Sequence, residues 1–199
     1  MGDQARREEA PPLRDVRAVG LTLWLTGLPG AGKTTLAQGL VGLLQQRDRK
    51  AVLLDGDWLR AAGSRDLGYS SADRAEQAQR ATALALDRAL EGWVAVVALV
   101  SPYRRDRGRA REAHDAHGVP FAEVYVATPL AECERRDPKW LYRRARRGEI
   151  GNLTGVNDPY EPPAQPEASV ICRHVSPEKL ATVVLSRVEW RLRARQTRA

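Results

Sequence analysis

The sequence has no apolar run long enough to span a bilayer. Its longest, Trp93 to Val100, falls far short of the roughly 18 to 20 residues required. The first seventeen residues are polar and mixed in charge, without the apolar core of a secretory signal. They are expected to form a disordered or loosely docked arm ahead of a domain covering 18–199. A membrane is therefore not an expected partner, and the cytoplasm is the expected location. Only two cysteines are present, Cys133 and Cys172, and neither stands in a C-x-x-C spacing. Reduced thiols are expected, not a disulfide framework or a thiolate metal site. Lysine is scarce: Lys33, Lys50, Lys139 and Lys179 are four of the 32 basic residues, so 28 are arginine. With a formal net charge of +7, such a skew suits small polyanionic substrates, and genomic base composition explains it equally well. Arg187, Arg191, Arg193, Arg195 and Arg198 read as a solvated helix face, and nucleic acid is not an expected partner. No internal repeat is found.

What the chain does contain is an alternation of strands and helices. Leu21 to Thr26 reads as a buried strand, and Gly27 to Gly32 as a glycine-rich turn. Lys33 to Gln46 follows as a helix, and Ala51 to Asp55 as a second strand. Ser70, with Asp73 three residues on, is a variant capping box opening a helix through Glu91. Ala78, Ala81, Ala85 and Ala89 recur along it at helical spacing. The nearly all-apolar Trp93 to Val100 suits a strand covered on both faces of a parallel sheet. A helix over 104–117, a strand over 121–127, a short helix from Pro129 through Arg136, a strand over 169–172 and a helix over 177–195 complete the pattern. Alternating elements imply right-handed crossovers and a central parallel sheet in a three-layer α/β domain. The stretch from about 138 to 167, rich in Arg, Gly and Pro, interrupts the rhythm and is expected to be a mobile lid.

The strongest chemical signal is Gly27-Leu28-Pro29-Gly30-Ala31-Gly32-Lys33-Thr34, followed by Thr35. It satisfies G-x-x-x-x-G-K-[ST] between a strand and a helix, which marks a P-loop. The motif alone does not separate a kinase from a switch GTPase or a mechanical ATPase. The chain's size and late lid suit a small-molecule kinase better, and a three-layer P-loop kinase fold is expected. Glycines allow backbone N–H groups to close on phosphate oxygens at a helix N-terminus. Lys33 is expected to neutralise the β- and γ-phosphates of ATP, and Thr34 to offer its hydroxyl to Mg²⁺. The N-K-x-D element of guanine-specific GTPases is absent. Asp55-Gly56-Asp57 stands at the C-terminal end of the second strand, where ligands bind in open α/β sheets. Two carboxylates there can divide the work, one supporting the loop and metal, the other accepting a proton from an attacking hydroxyl. Taken alone, the triplet reads more readily as a turn with Asp as helix cap.

Ordered blocks along the chain resemble adenylylsulfate (APS) kinases, which phosphorylate the 3′-hydroxyl of adenosine 5′-phosphosulfate. The blocks are the P-loop, Leu54 to Arg60, Leu67 to Arg74, Ser101 to Arg104, Cys133 to Lys139 with Leu141-Tyr142, and Thr154-Gly155 with Pro159-Tyr160-Glu161. The resemblance implies that Asp57 takes the proton from the acceptor hydroxyl and that Arg60 and Arg74 bind the acceptor's anionic groups. Tyr69 stands where the family stacks a phenylalanine on the acceptor base, and Ser101 would line that pocket. Arg136 and Asp137, within Arg135 to Pro138, would help hold the ATP adenine. Lys139, Arg143, Arg144, Arg146 and Arg147 lie in the lid, and one or two are expected to close over phosphates. A homodimer is also implied.

Departures from the family pattern cluster on the acceptor side. Gln77 replaces an asparagine associated with acceptor binding. Leu153 replaces the phenylalanine that completes an aromatic sandwich around the APS adenine. Trp140 replaces the usual glycine between Lys139 and Leu141, and Gly151 stands where a lysine is common. Three readings follow: APS kinase proper, a relative phosphorylating another nucleotide acceptor, and a nucleotide-binding regulator without catalysis.

Overall fold

A computed structural model describes residues 20–193. The expectations for the N-terminal arm, and for the side chains of Arg191, Arg193, Arg195 and Arg198, lie outside what is described. Five strands form one parallel sheet: β1 (Leu21–Thr26), β2 (Ala51–Asp55), β3 (Val94–Ala98), β4 (Phe121–Val126) and β5 (Ala168–Val170), in the order β2-β3-β1-β4-β5. Helix α1 (Lys33–Gln45) follows β1, and α2 (Gly56–Gly63) and α3 (Ser71–Leu90) follow β2. Helix α4 (Arg104–Ala116) precedes β4, α5 (Leu130–Arg136) and α6 (Leu141–Arg146) follow it, and α7 (Pro177–Arg193) is the last described element.

Alternation along the central strands sorts the core into two layers. Leu21, Leu23 and Leu25 of β1 join Val94, Val96 and Ala98 of β3 in the layer under α1 and α7. Trp24, Ala95 and Val97 point the other way, against Ala78, Ala81 and Ala85 of α3 and Ala110 of α4. The small alanine face of α3 lets that helix lie close to the sheet beside Trp24 and Phe121, whose ring centroids are 5.9 Å apart. All of β1 is buried, so its threonines need partners. Thr22 Oγ1 lies 2.8 Å from Nε2 of the buried His114, and Thr26 Oγ1 donates to the Val100 carbonyl at 2.7 Å.

The capping box of α3 is present in full, with the Ser70 hydroxyl accepting from the Asp73 backbone and the Asp73 carboxylate accepting from the Ser70 backbone. Helix boundaries elsewhere agree with the sequence reading to within about two residues. Two short helices were not legible in the sequence. Helix α2 begins directly where β2 ends, with no intervening loop. Helix α6 lies inside the stretch expected to be lid, its first turn held by Asp137, whose carboxylate accepts from the Tyr142 and Arg143 backbones at 3.0 and 2.9 Å. Farther along that stretch, Tyr160 and Glu161 contact the domain. Arg107, nearly fully buried, donates to the Ser101 and Glu161 carbonyls and pairs with Glu123. Tyr160 shares a 3.0 Å hydrogen bond with Thr26 and stacks on Tyr125.

Candidate active site

The site grows from the C-terminal ends of β1 and β2. After Thr26 the chain turns through Gly27, Gly30 and Gly32 at φ 154°, 72° and 102°, in the region that L side chains disfavour. Gly32 is also constrained by space: a Cβ there would sit 2.9 Å from Cβ of Cys172. Thr128 braces the loop, donating its hydroxyl to the Ala31 carbonyl at 2.8 Å and accepting from the Cys172 backbone at 3.2 Å. Tyr142 of α6 donates to the Pro29 carbonyl at 2.9 Å. The cradle is thus fixed by the chain segments around it.

Lys33 is buried, and its ammonium donates to the Gly27 and Leu28 carbonyls at 3.0 and 2.9 Å. Burial pulls its pKa down to about 8, outweighing the opposing pull of Asp55 and Asp57. Thr34, exposed at the start of α1, donates its hydroxyl to Asp55 Oδ2 at 2.7 Å. The second oxygen of that carboxylate accepts from the Asp57 backbone at 2.9 Å and caps α2. One residue therefore serves both readings weighed for the Asp-Gly-Asp triplet: Asp55 is a helix cap, and it also ties β2 to the P-loop. Thr35 is exposed one residue further along α1.

Asp57 points outward, its side chain 70% exposed, and forms an ion pair with Lys139 from the segment ahead of α6. The acceptor-side residues gather around Tyr69. The Arg60 guanidinium lies 4.4 Å from the Tyr69 ring centroid and that of Arg74 lies 5.7 Å away. Arg60 also donates to the Leu67 carbonyl at 3.0 Å. Arg74 donates to the Tyr69 and Asn152 carbonyls at 3.1 and 2.6 Å and pairs with Asp158 at 3.5 Å. Burial lowers its pKa, with Asp158 opposing.

Two other expected residues are buried and unsatisfied. Both polar atoms of the Gln77 amide lack a hydrogen-bond partner, as does the Ser101 hydroxyl. Ser101 also holds φ 43°, an uncommon conformation for a residue with a Cβ. Buried orphans of this kind cost about 1 to 3 kcal/mol each, and strained backbone concentrates at functional sites. Leu153 packs within the first core layer, its carbonyl accepting from Val156, Asn157 and Asp158.

A cleft of about 540 Å³ is lined by Arg136, Asp137, Trp140, Tyr142, Arg143 and Arg146, among others. Arg136 reaches from it to the Gly30 carbonyl at 3.5 Å and to the Cys172 carbonyl. Asp137, at φ 28°, spends both carboxylate oxygens on α6. Of the lid arginines, Arg146 pairs with Glu134 at 2.6 Å, while Arg144 and Arg147 lie 3.6 and 3.7 Å from Glu149. Cys133 and Cys172 are free thiols, as expected.

A phosphate cradle, an outward carboxylate beside it and an arginine-flanked aromatic ring are held in one molecule by ordered sequence blocks. The adenylylsulphate kinase family profile matches residues 19–171. The chain belongs to the adenylylsulphate kinase family. Adenylylsulphate kinases are ATP-dependent phosphotransferases, which agrees with the P-loop chemistry above. The chain is 44% identical over 167 residues to an adenylyl-sulfate kinase of Pseudomonas aeruginosa, covering 84% of each chain. It is 43% identical over 148 residues to a probable adenylyl-sulfate kinase of Aeropyrum pernix, covering 74% of this chain and 81% of that one. The APS kinase of Mycobacterium tuberculosis, solved in complex with AMPPNP and APS, superposes with a TM-score of 0.83 at 40% identity, over 85% of this chain and 98% of that one. Among the described residues, no helix is long and apolar enough to cross a membrane.

Several partners in this adenylylsulphate kinase site escaped the sequence reading. Asp158 and the Asn152 carbonyl hold Arg74, and the Tyr103 hydroxyl donates to Asp158 at 3.0 Å. Lys139 was grouped with the lid cations, but no sequence spacing links it to Asp57, 82 positions away. The one available signal was the lone lysine in a stretch otherwise using arginine.

Proposed function

We propose that this chain transfers the γ-phosphoryl group of ATP to the 3′-hydroxyl of adenosine 5′-phosphosulfate, releasing ADP. The observation that carries this reading is the shared Asp55 carboxylate: one oxygen takes the Thr34 hydroxyl of the cradle and the other takes the backbone of Asp57. The candidate base is thereby coupled to the phosphate site through two hydrogen bonds, while its own carboxylate faces solvent and is held by Lys139 alone among the ion pairs of the described residues.

In this reading the P-loop amides of 27–35 and Lys33 hold the donor phosphates. Asp57 exchanges its ion pair with Lys139 for the acceptor hydroxyl and accepts its proton as the oxygen attacks phosphorus. Lys139, released from Asp57, is free to meet charge developing on the transferred group. Thr34 and Asp55 supply a hydroxyl and a carboxylate oxygen, the hard donors Mg²⁺ takes, so the residues present fit that ion. Bound there, Mg²⁺ would neutralise phosphate charge. Arg60 and Arg74 flank the Tyr69 ring, a suitable reception for an anionic nucleotide whose base stacks on that ring. The orphaned Gln77 amide and Ser101 hydroxyl gain partners when the acceptor fills its pocket. Arg136 of the donor flank lies against the adenine. Closure of 138–167 on the substrates, a homodimer and a cytoplasmic location complete the reading.

The test is ADP release measured with APS against a panel of purine and pyrimidine nucleotides. Turnover with APS well above the panel is the expected result. Turnover with a pyrimidine nucleotide and none with APS would redirect the acceptor, and ATP binding without transfer to any acceptor would make the protein a non-catalytic regulator.

A further inference from the structure

Trp140 occupies a backbone conformation that suits glycine. Its φ and ψ of 58° and 22° lie in the left-handed region, which is unfavourable for any residue with a Cβ. Core packing does not explain the choice, because the residue is 59% exposed. The ring instead carries the Arg143 guanidinium on one face, 4.2 Å from its centroid, and lines the 540 Å³ cleft together with Arg136. Arg136 runs from that cleft to the carbonyls of Gly30 and Cys172, so the cleft adjoins the phosphate cradle. An exposed aromatic held at a strained position beside a triphosphate site has the attributes of a stacking surface.

We propose that Trp140, backed by Arg143, is a stacking platform for the base of the nucleoside triphosphate donor. The proposal rests on the donor site assigned above and adds to it a residue that binds the donor base. The backbone strain is retained because the ring is used. Each carboxylate oxygen of Asp137 accepts one backbone N–H at the start of α6, which turns that side chain toward the helix. A stacking ring contributes by area and not by hydrogen bonds to a base edge, so adenine and guanine should benefit alike from Trp140.

The test is calorimetric titration, without acceptor, of AMPPNP, GMPPNP and inorganic tripolyphosphate into the wild-type chain, W140G and W140F. W140G should weaken both nucleotides by about 5- to 50-fold, while W140F stays within about threefold of wild type. Tripolyphosphate, which has no base, should bind all three proteins within about twofold. The Tm of W140G should be unchanged or higher by up to about 4 °C, since glycine relieves the strain. Equal AMPPNP affinity in wild type and W140G would overturn the proposal. So would a parallel loss of tripolyphosphate affinity or a Tm several degrees lower, either of which would make Trp140 a structural support. Wild-type chain that binds tripolyphosphate but no nucleotide would overturn the donor reading together with this one.

Discussion

Raising the pH of a nucleotide titration from 7 to 9 should change the number of protons taken up per nucleotide bound, and Lys33 sets the amount. In the free protein its ammonium is buried against two loop carbonyls, with a pKa of about 8. Phosphate oxygens arriving beside it favour the charged form and lift the pKa toward or beyond its ordinary value of about 10.4. At pH 7 the free lysine is already about nine-tenths protonated, so binding takes up only about 0.1 proton. At pH 9 the free lysine is about nine-tenths neutral, and binding takes up about 0.9 proton. Affinity for AMPPNP should then fall by about tenfold per pH unit once the pH exceeds the free lysine's pKa. The assay is titration calorimetry at pH 9 in two buffers of different ionisation enthalpy, whose difference in apparent heat gives the proton count. K33M should abolish the uptake, and K33R should abolish it too, since arginine stays charged throughout. Zero uptake by the wild-type chain at pH 9, or undiminished uptake by K33M, would refute the argument.

D57A should lower turnover by about 10² to 10⁴ with AMPPNP affinity nearly unchanged, and near-wild-type turnover would remove Asp57 from the base role. Q77L replaces an unpartnered buried amide by an apolar side chain; thermal melts should show Tm higher by about 2 to 4 °C, while the KM for the acceptor rises. An unchanged KM would take Gln77 out of acceptor binding. His114 is buried, with Nδ1 against the Ala110 carbonyl and Nε2 against Thr22, and burial lowers its pKa. Below about pH 6.5 the unfolded chain therefore binds a proton that the folded one resists, so stability should fall as pH drops below that point. Melts of H114N from pH 8 to 5 should show a smaller decline than wild type.

The strands illustrate what could be read in advance. Residues 94–98 are apolar throughout and residues 21–26 are interrupted only by Thr22 and Thr26, and a sheet covered on both faces buries both alternations, so the parallel sheet followed from the sequence. The P-loop was equally legible, because its glycines answer to a conformational demand that a short motif can carry. Helices α2 and α6 were not. Each spans only about two turns or fewer, too short for an amphipathic pattern to stand out, and is started by a carboxylate whose bonding depends on where the chain has already been placed. A cap at Asp55 was one of the readings of its triplet, but the helix that it starts, and the bonds of Asp137 to α6, became visible only in the structure.

The site divides in the same way. The sequence alone determined the cradle, its lysine and threonine, and the carboxylate pair after β2, since each is a local pattern on a predictable strand or turn. Tertiary structure decided the rest: that Lys139 covers Asp57, that Asp158 holds Arg74, that Gln77 is buried without a partner, and that Trp140 faces a cleft in a strained conformation. Those facts depend on contacts between segments dozens of residues apart and on which groups solvent can reach. Neither is encoded in any one stretch of chain; both arise only when the two layers close over the sheet.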